Sequence, residues 1–463
     1  MKKGTKILGA SLLAGSLLFS SHSVMAIQGE NPSEHAFDNK VIKRIDVEKI
    51  YQNLSHLAVN IGPRVAGTQS EQTTVDYITG KFNEYGLNEV EVQPFQFIKD
   101  YKHPSSVSLK VNGRNYETAA FRFSNNTPAG GVSAELVYAG LGTTAEVAHA
   151  SVEGKIALIK RGTIPFTEKM DNAKKAGAIG VVFINTDNST PLFSLPANES
   201  NLPVLFMKKS DGDELISSLQ GNNLTANMSV EGAEFVKATS HNVIATKKPM
   251  KNKDTNQIII IGAHHDSVSV SSGASDNASG TSIVLELARV LENAPSDTEI
   301  RFITFGAEEN GLLGSKHYAQ SLTKDEINRT VAMFNMDMVG SKNAGEFAMF
   351  TYDGKPNTVT TLGNSAGTRL YNAIPYNQIG RSDHQPFTEV GIPAAVFTYA
   401  PLEPEYHTAK DTIELISKEK LLKTAQVLGA AVYQAARPDT PALERSNVAP
   451  VPVEAEYDED LHL

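Results

Sequence analysis

The run Gln257-Ile-Ile-Ile-Ile-Gly-Ala263 restricts the fold more than any other stretch of the chain. It is apolar without alternation, so both faces of the strand it forms need cover. Strands of that kind are parallel strands with helices on each side. The segments around it agree. Helical periodicity over Ser282–Glu292, Leu312–Leu322, Asn357–Tyr371 and Ser417–Ala436 alternates with strand-like runs at Glu299–Gly306, Val331–Met338 and Pro393–Thr398. Such alternation predicts an α/β fold, with a mostly parallel central sheet sandwiched by helices. Upstream, Val47, Ile50, Leu54 and Leu57 fall at helical spacing. A second helix is expected from Thr68 to Tyr85, and a strand over Val90–Phe97.

Between these halves the character changes. Residues 125–235 are rich in Gly, Asn and Ser, with short β-branched runs at Lys155–Lys160 and Ile179–Ile184 flanking a helix over Phe166–Ala176. This reads as a small inserted α/β module. The main domain is then expected over 27–124 and 236–437, with 27–40 polar and without a period. Residues 438–463 hold four prolines and an acidic excess, the composition of a disordered tail.

Lys2, Lys3 and Lys6, the uncharged Ile7–Phe19 and the small-x-small Val24-Met25-Ala26 form a secretory signal pattern over 1–26. The apolar run is too short to span a bilayer. Its removal takes three positive charges and moves the net charge from −10 to −13. An acidic chain of this kind is unsuited to nucleic acid. No other uncharged run is long enough for a membrane anchor, so the expectation is a soluble, extracellular monomer. The sequence has no cysteine. Disulfides, thiol proteases and zinc–thiolate sites are therefore excluded.

In open α/β sheets, sites form outside the carboxyl ends of the strands. His264-His265-Asp266, Glu308-Glu309, Asp337 and the stretch Glu403, Glu405, Tyr406, His407 all lie at such ends. The loop Ser271–Asn277, with Asp276, follows the first strand. Carboxylates gathered on one rim repel one another unless a cation joins them. Imidazole plus carboxylate without thiolate suits Zn²⁺ or a similar metal. Five such ligands exceed one catalytic zinc with an open position. They suit two zincs roughly 3.5–4 Å apart that share one carboxylate. Two Zn²⁺, three carboxylates and a bridging hydroxide also sum to zero charge.

The motifs Gly-Ala-His264-His265-Asp266-Ser, Ser275-Asp276-Asn277-Ala-Ser-Gly, Ala307-Glu308-Glu309-Asn-Gly-Leu-Leu-Gly-Ser, Asn335-Met-Asp337-Met-Val-Gly and Tyr406-His407-Thr-Ala-Lys-Asp411-Thr resemble the secreted double-zinc aminopeptidases of the Streptomyces and Vibrio type. Ser382-Asp383-His384-Gln-Pro-Phe, Gly391-Ile-Pro-Ala and Gly-Pro63-Arg64-Val-Ala-Gly-Thr68 match as well. The likeness covers 40–124 and 238–437. Gly154–Gly162 and the Lys174-Lys175-Ala-Gly-Ala run make the insert similar to protease-associated domains. An enzyme interrupted there resembles the secreted leucyl/arginyl aminopeptidases of bacilli.

The resemblance implies removal of single residues from peptides with a free N-terminus, with two Zn²⁺ per chain as cofactor. His264, Asp276 and Asp337 would hold one zinc. Asp276, Glu309 and His407 would hold the other, with Asp276 bridging. One zinc would bind the scissile carbonyl and the other the free α-amine. Glu308 would be the general base, a choice between Glu308 and Glu309 that rests on the family alone. Tyr406 would steady the oxyanion, and Asp266 would accept the free N–H of His264. The Asp276–Asn277 peptide would be cis. The insert would sit over the rim and restrict access to short or flexible peptides.

Plainer roles suit other residues. His265 points away from His264 on a strand and reads as structural. Asp411-Thr-Ile-Glu414 reads as a capping box. Asp383 and His384 would shape the pocket, and His317 would pack in its helix. His35, His56, His103, His149 and His241 have no partner set and read as surface, as do Lys160-Arg161 and Lys174-Lys175. Two rival functions use the same scaffold. One is a non-catalytic binding ectodomain of the transferrin-receptor type, which loses metal ligands that are all present here. The other is glutaminyl cyclisation or a carboxypeptidase-type reaction, which resembles single-zinc or differently lined sites.

Overall fold

A computed structural model describes residues 32–450, apart from 88, 251 and 252. The leader expected over 1–26 and residues 451–463 lie outside the described residues. Two eight-stranded sheets organise the chain. In the first, the strands run in the order Glu89–Lys102, Glu234–Lys247, Glu299–Phe305, Ile258–His264, Thr330–Met336, Ala394–Ala400, Glu346–Thr351 and Tyr376–Gln378. The four strands at its centre, from Glu299–Phe305 to Ala394–Ala400, are parallel.

The uniform hydrophobicity of 258–263 has a simple cause. Ile259, Ile261 and Ala263 face a large core shared with the helices Ser279–Glu292 and Lys418–Ala436. Ile258 and Ile260 face the other side, against Tyr318 and Phe387. Every residue of the strand is buried. Burial of this sort is worth about 25 cal/mol per Å² of apolar surface, which makes the central strands the anchor of the domain.

Two stretches differ from the sequence reading. Residues 32–42 form a helix (Pro32–Ile42), although little in the segment is apolar. It docks on Lys418–Ala436 through Phe37, Val41 and Ile42, and Asp38 pairs with Arg369 at 2.8 Å. Tertiary contact supplies what local periodicity lacks. The tail expected from 438 has no helix or strand over 438–450, yet it is attached. Gln257 and Leu443 exchange two hydrogen bonds of 2.8 Å. The Arg445 guanidinium donates to Thr330 O and Ile327 O, at 2.9 and 3.2 Å, and to Gly391 O.

The second sheet is the insert, and it is larger than 125–235. Ser106–Val111 pairs antiparallel with Leu224–Glu231, and Ala119–Ala120 with Val204–Met207. The strands within 106–120 therefore lie in this second sheet and not in the main one, because nonlocal pairing with 224–231 and 204–207 claims them. Helices cover both of its faces over two separate cores. It joins the main sheet through one long antiparallel ribbon, Glu89–Lys102 against Glu234–Lys247, paired from Glu89↔Thr246 to Lys102↔Glu234 with a shift of register between Ile98 and Asp100. Among the described residues no helix is long and apolar enough to cross a membrane.

Candidate metal centre

The carboxyl ends of the parallel strands converge as the topology requires. His264 is the last residue of its strand, and Asp337 directly follows Thr330–Met336. Glu308 and Glu309 follow Glu299–Phe305 after a turn in which Ala307 takes the left-handed conformation, φ 52°. His407, also left-handed at φ 54°, lies beyond Ala394–Ala400. Non-glycine residues rarely adopt such angles, and clusters of them mark places where side-chain aim outweighs backbone comfort. Asp276 comes from the loop after His264, and the Asp276–Asn277 peptide is cis.

Two groups of imidazole and carboxylate result: His264, Asp276 and Asp337, and Asp276, Glu309 and His407. In each, the candidate ligand atoms lie within 4.8 Å of one another. Asp276 belongs to both through different oxygens. Its Oδ1 is 3.1 Å from His264 Nε2, and its Oδ2 is 3.3 Å from His407 Nε2. Asp337 Oδ1 stands 3.3 Å from His264 Nε2, and Glu309 Oε2 stands 3.0 Å from His407 Nε2. His407 Nε2 is nonetheless buried without a hydrogen bond, and so is Glu309 Oε1. Buried polar atoms left in this way carry a cost unless a further group satisfies them. A divalent cation between nitrogen and oxygen donors would do so, and this donor set suits zinc.

The electrostatics point the same way. Burial pushes the Glu309 carboxyl up to about 7, with Asp276 adding to the shift. Burial also raises Glu308 well above the usual carboxylate range, against the pull of His264 and with help from Asp383 and Asp337. Burial pulls the His407 imidazole down, but its contacts with Asp276 and Glu309 win and lift it to about 10. The site concentrates negative charge that only protons or metal can balance.

Around these groups, each element has a fastening. Asp266 is fully buried. Its carboxylate accepts the backbone N–H groups of Glu308 and Glu309 at 3.1 and 3.2 Å. Its distance to His264 Nδ1 is longer, 3.5 Å, and the Asp266 main-chain oxygen is nearer, at 3.2 Å. Asp266 thus secures the Glu308-Glu309 turn more directly than it orients His264. Ser382 Oγ donates to Asp337 Oδ2 at 2.7 Å and accepts from Asn335 Nδ2 at 2.8 Å. The Tyr406 ring stacks on His407, centroids 3.8 Å apart. Burial raises the Tyr406 hydroxyl, with Asp276 and Glu309 adding to it, so the phenol keeps its proton.

Residues 242–432 match Peptidase family M28, and 132–215 match the PA domain. Aminopeptidase YwaD of Bacillus subtilis is 39% identical over 443 residues, 92% of each chain. The chain belongs to peptidase family M28. An aminopeptidase of Pseudomonas aeruginosa is 35% identical over 68% of this chain and 60% of its own. Among solved M28-like structures, the aminopeptidase from Aneurinibacillus sp. strain AM-1 is 50% identical, with a TM-score of 0.64 over 90% of this chain and 98% of that one. BSAP, a zinc aminopeptidase from Bacillus subtilis, is 38% identical, with a TM-score of 0.58 over 88% of this chain and 99% of that one.

The site residues expected from the sequence, Glu308, Tyr406, His264, Asp276, Glu309, Asp337, His407 and Asp266, all gather on this rim. His265 turns away, with Nδ1 3.1 Å from Thr304 Oγ1 and Nε2 3.7 Å from Glu71. His384 lies buried in the wall with Nε2 2.9 Å from Ile379 O. Burial pushes the neighbouring Asp383 carboxyl up to about 7. His317 stacks on Phe95.

Two residues do more than their local sequence indicates. Arg64, in sequence no more than part of a motif, is fully buried beneath the loop that carries Asp276. Its guanidinium donates to His265 O at 2.7 Å, Ser272 O at 2.7 Å, Gly273 O at 2.8 Å, Gly62 O at 3.2 Å and Leu57 O at 3.4 Å. Asp411 is no helix cap. The short turn Ile413–Leu415 is preceded by Thr412, and the Asp411 carboxylate reaches back to the 271–276 loop instead. A local Asp-x-x-Glu pattern gives no sign of so distant a partner.

Proposed function

We propose that this protein is a secreted, monomeric zinc aminopeptidase that removes the N-terminal residue from peptides with a free α-amine, using two zinc ions held on the rim described above. The observation that carries the reading is Asp276, whose two oxygens face two separate imidazole–carboxylate sets. His264, Asp276 and Asp337 would hold one ion, and Asp276, Glu309 and His407 the other. Bound there, two zinc ions supply Lewis acidity that polarises the scissile carbonyl and acidifies water.

The chain's own residues do the rest. Glu308 belongs to neither set, and Asp266 fixes its backbone at the rim. It takes a proton from the attacking water as the water oxygen bonds to the carbonyl carbon. It then delivers that proton to the leaving nitrogen as the C–N bond breaks. Its raised pKa suits a group that must both accept and return a proton. The Tyr406 hydroxyl, which keeps its proton, donates a hydrogen bond to the oxyanion of the tetrahedral state. The excess of carboxylates attracts the substrate's α-ammonium, which makes the site an exopeptidase site. The basic, uncharged and small-residue pattern of 1–26 supports export.

Metal content per chain and hydrolysis of leucine-p-nitroanilide, measured on wild type and Glu308→Ala, test this. Two zincs in both proteins, with activity lost only in the variant, is the expected result. One zinc in active wild type would remove the bridging role of Asp276. Cleavage of N-blocked peptides would remove the exopeptidase assignment.

A further inference from the structure

Asp411 is almost fully buried. Its Oδ1 accepts the backbone N–H of Ser275 at 2.7 Å and its Oδ2 that of Asp276 at 3.1 Å. Its main-chain oxygen accepts the Ser272 hydroxyl at 2.8 Å. Ser271 Oγ lies 3.4 Å from both its main-chain oxygen and its Oδ2. Charge-assisted bonds from two successive amides to one carboxylate fix the position of the backbone as well as satisfying it. The loop has little other freedom. Gly273 is left-handed at φ 60°, and a Cβ there would meet Asp276 O at 2.5 Å and Arg64 Nη2 at 2.7 Å.

The other end of Asp411 leads to His407. Three residues separate them, and the turn is closed by Thr408 N to Glu405 O at 3.1 Å, Thr408 Oγ1 to Glu405 O at 2.7 Å and Asp411 N to Thr408 O at 3.1 Å. His407 and Asp411 therefore sit in one hydrogen-bonded turn. The turn that presents His407 also grips the amide of Asp276, two residues that meet in the same ligand set at 3.3 Å. The remaining member of that set, Glu309, is held from elsewhere by Asp266. Among the described residues, the set of His264, Asp276 and Asp337 is hydrogen-bonded to Asp411 through Asp276 alone.

From this we infer that Asp411 is a positioning residue that locks Asp276 to His407, and that it tunes zinc affinity at the Asp276–Glu309–His407 set in preference to the other set. The inference rests on the ligand assignment proposed above. A purely structural role would weaken both sets alike, or neither.

The test is stepwise zinc affinity of the full chain, by competition with a chromophoric chelator. The proteins are wild type, Asp411→Asn, Asp411→Ala, His407→Ala as the marker of which step belongs to that set, and Glu414→Ala as a neighbouring control. Asp411→Asn keeps the shape but turns a donor towards one of the two amides. The expected result is a loss of about 10–100-fold in the step that His407→Ala abolishes, the range usual for partners that orient ligands. The other step should change less than about threefold and Glu414→Ala should match wild type, a contrast that follows from proximity. Equal losses in both steps, or no loss in either, overturn the inference. Should Asp411→Ala fail to fold, the Asn variant decides alone. Two zincs in wild type with an unaltered Asn variant sinks this inference and leaves the ligand assignment standing. Fewer than two in wild type removes both.

Discussion

The carboxylate of Asp266 accepts the backbone N–H of Glu308 at 3.1 Å. A second bond, to the next amide, uses the other oxygen. One buried side chain at the end of the central strand thus sets the height of the Glu308-Glu309 turn. In Asp266→Asn one of these amides would face an NH2 group. The expected outcome is a fall in kcat/KM on leucine-p-nitroanilide of about 10–100-fold with the fold retained. Unchanged kinetics would show that the left-handed Ala307 alone fixes the turn.

Tyr406→Phe removes a hydroxyl and keeps the ring that stacks on His407. The predicted loss falls on kcat, by about 100-fold, as for other single oxyanion donors. KM should hardly change, since the bond forms only as charge develops. A loss confined to KM would make Tyr406 a substrate-binding wall instead.

His384 should give the protein part of its acid sensitivity. Burial drives this imidazole from its ordinary value near 6.5 down to about 4, against one backbone hydrogen bond. The unfolded chain takes up the proton below pH 6.5, whereas the folded chain refuses it until about pH 4. Stability is therefore fully present above pH 6.5 and lost as pH falls towards 4, by about 3 kcal/mol at most. Urea unfolding of chelator-treated protein at pH 7 and pH 4.5 should show a smaller difference between the two pH values in His384→Gln than in wild type. Equal differences would refute it.

Arg64 sits under the Asp276 loop with five carbonyl acceptors. Arg64→Met fills much of the volume but strands those acceptors. A loss of at least about 3 kcal/mol follows from leaving several buried carbonyls unsatisfied. Thermal unfolding of wild type and variant, in the presence and absence of zinc, measures it. A variant as stable as wild type would mean that water replaces the guanidinium.

The gating role of the insert can be tested at the ribbon. Lys102 and Glu234 are paired there, so an Asn-Gly turn joining them removes 103–233 while leaving the ladder intact. If the insert restricts access, cleavage of long peptides should rise relative to leucine-p-nitroanilide. An unchanged ratio in a folded, zinc-binding variant ends the idea.

The sequence made legible what short-range pattern can carry. The 257–263 run demanded cover on two faces, and the strand indeed divides its isoleucines between two cores. Strand ends then placed His264, Glu308, Glu309, Asp337 and His407 on one rim. What escaped depended on partners far away in the chain. Residues 106–120 gave no sign that they pair beyond residue 200, so the insert looked smaller than it is. Arg64 and Asp411 looked like a motif remnant and a cap, because three of the five Arg64 acceptors and both amides held by the Asp411 carboxylate lie more than a hundred residues off. The choice between Glu308 and Glu309, open in the sequence, finds support in the proximity of Glu309 alone to His407.

The span of those contacts has a bearing on biosynthesis. Arg64 waits for Ser272 and Gly273, and the Asp276 loop waits for Asp411, near the carboxyl end of the domain. On the ribosome, the insert has all its strands long before the last helix emerges. The rim, by contrast, cannot close until His407 and Asp411 have been made. A nascent or prematurely ended chain is in this sense unarmed, and competence to cut peptides arrives only with the completed domain.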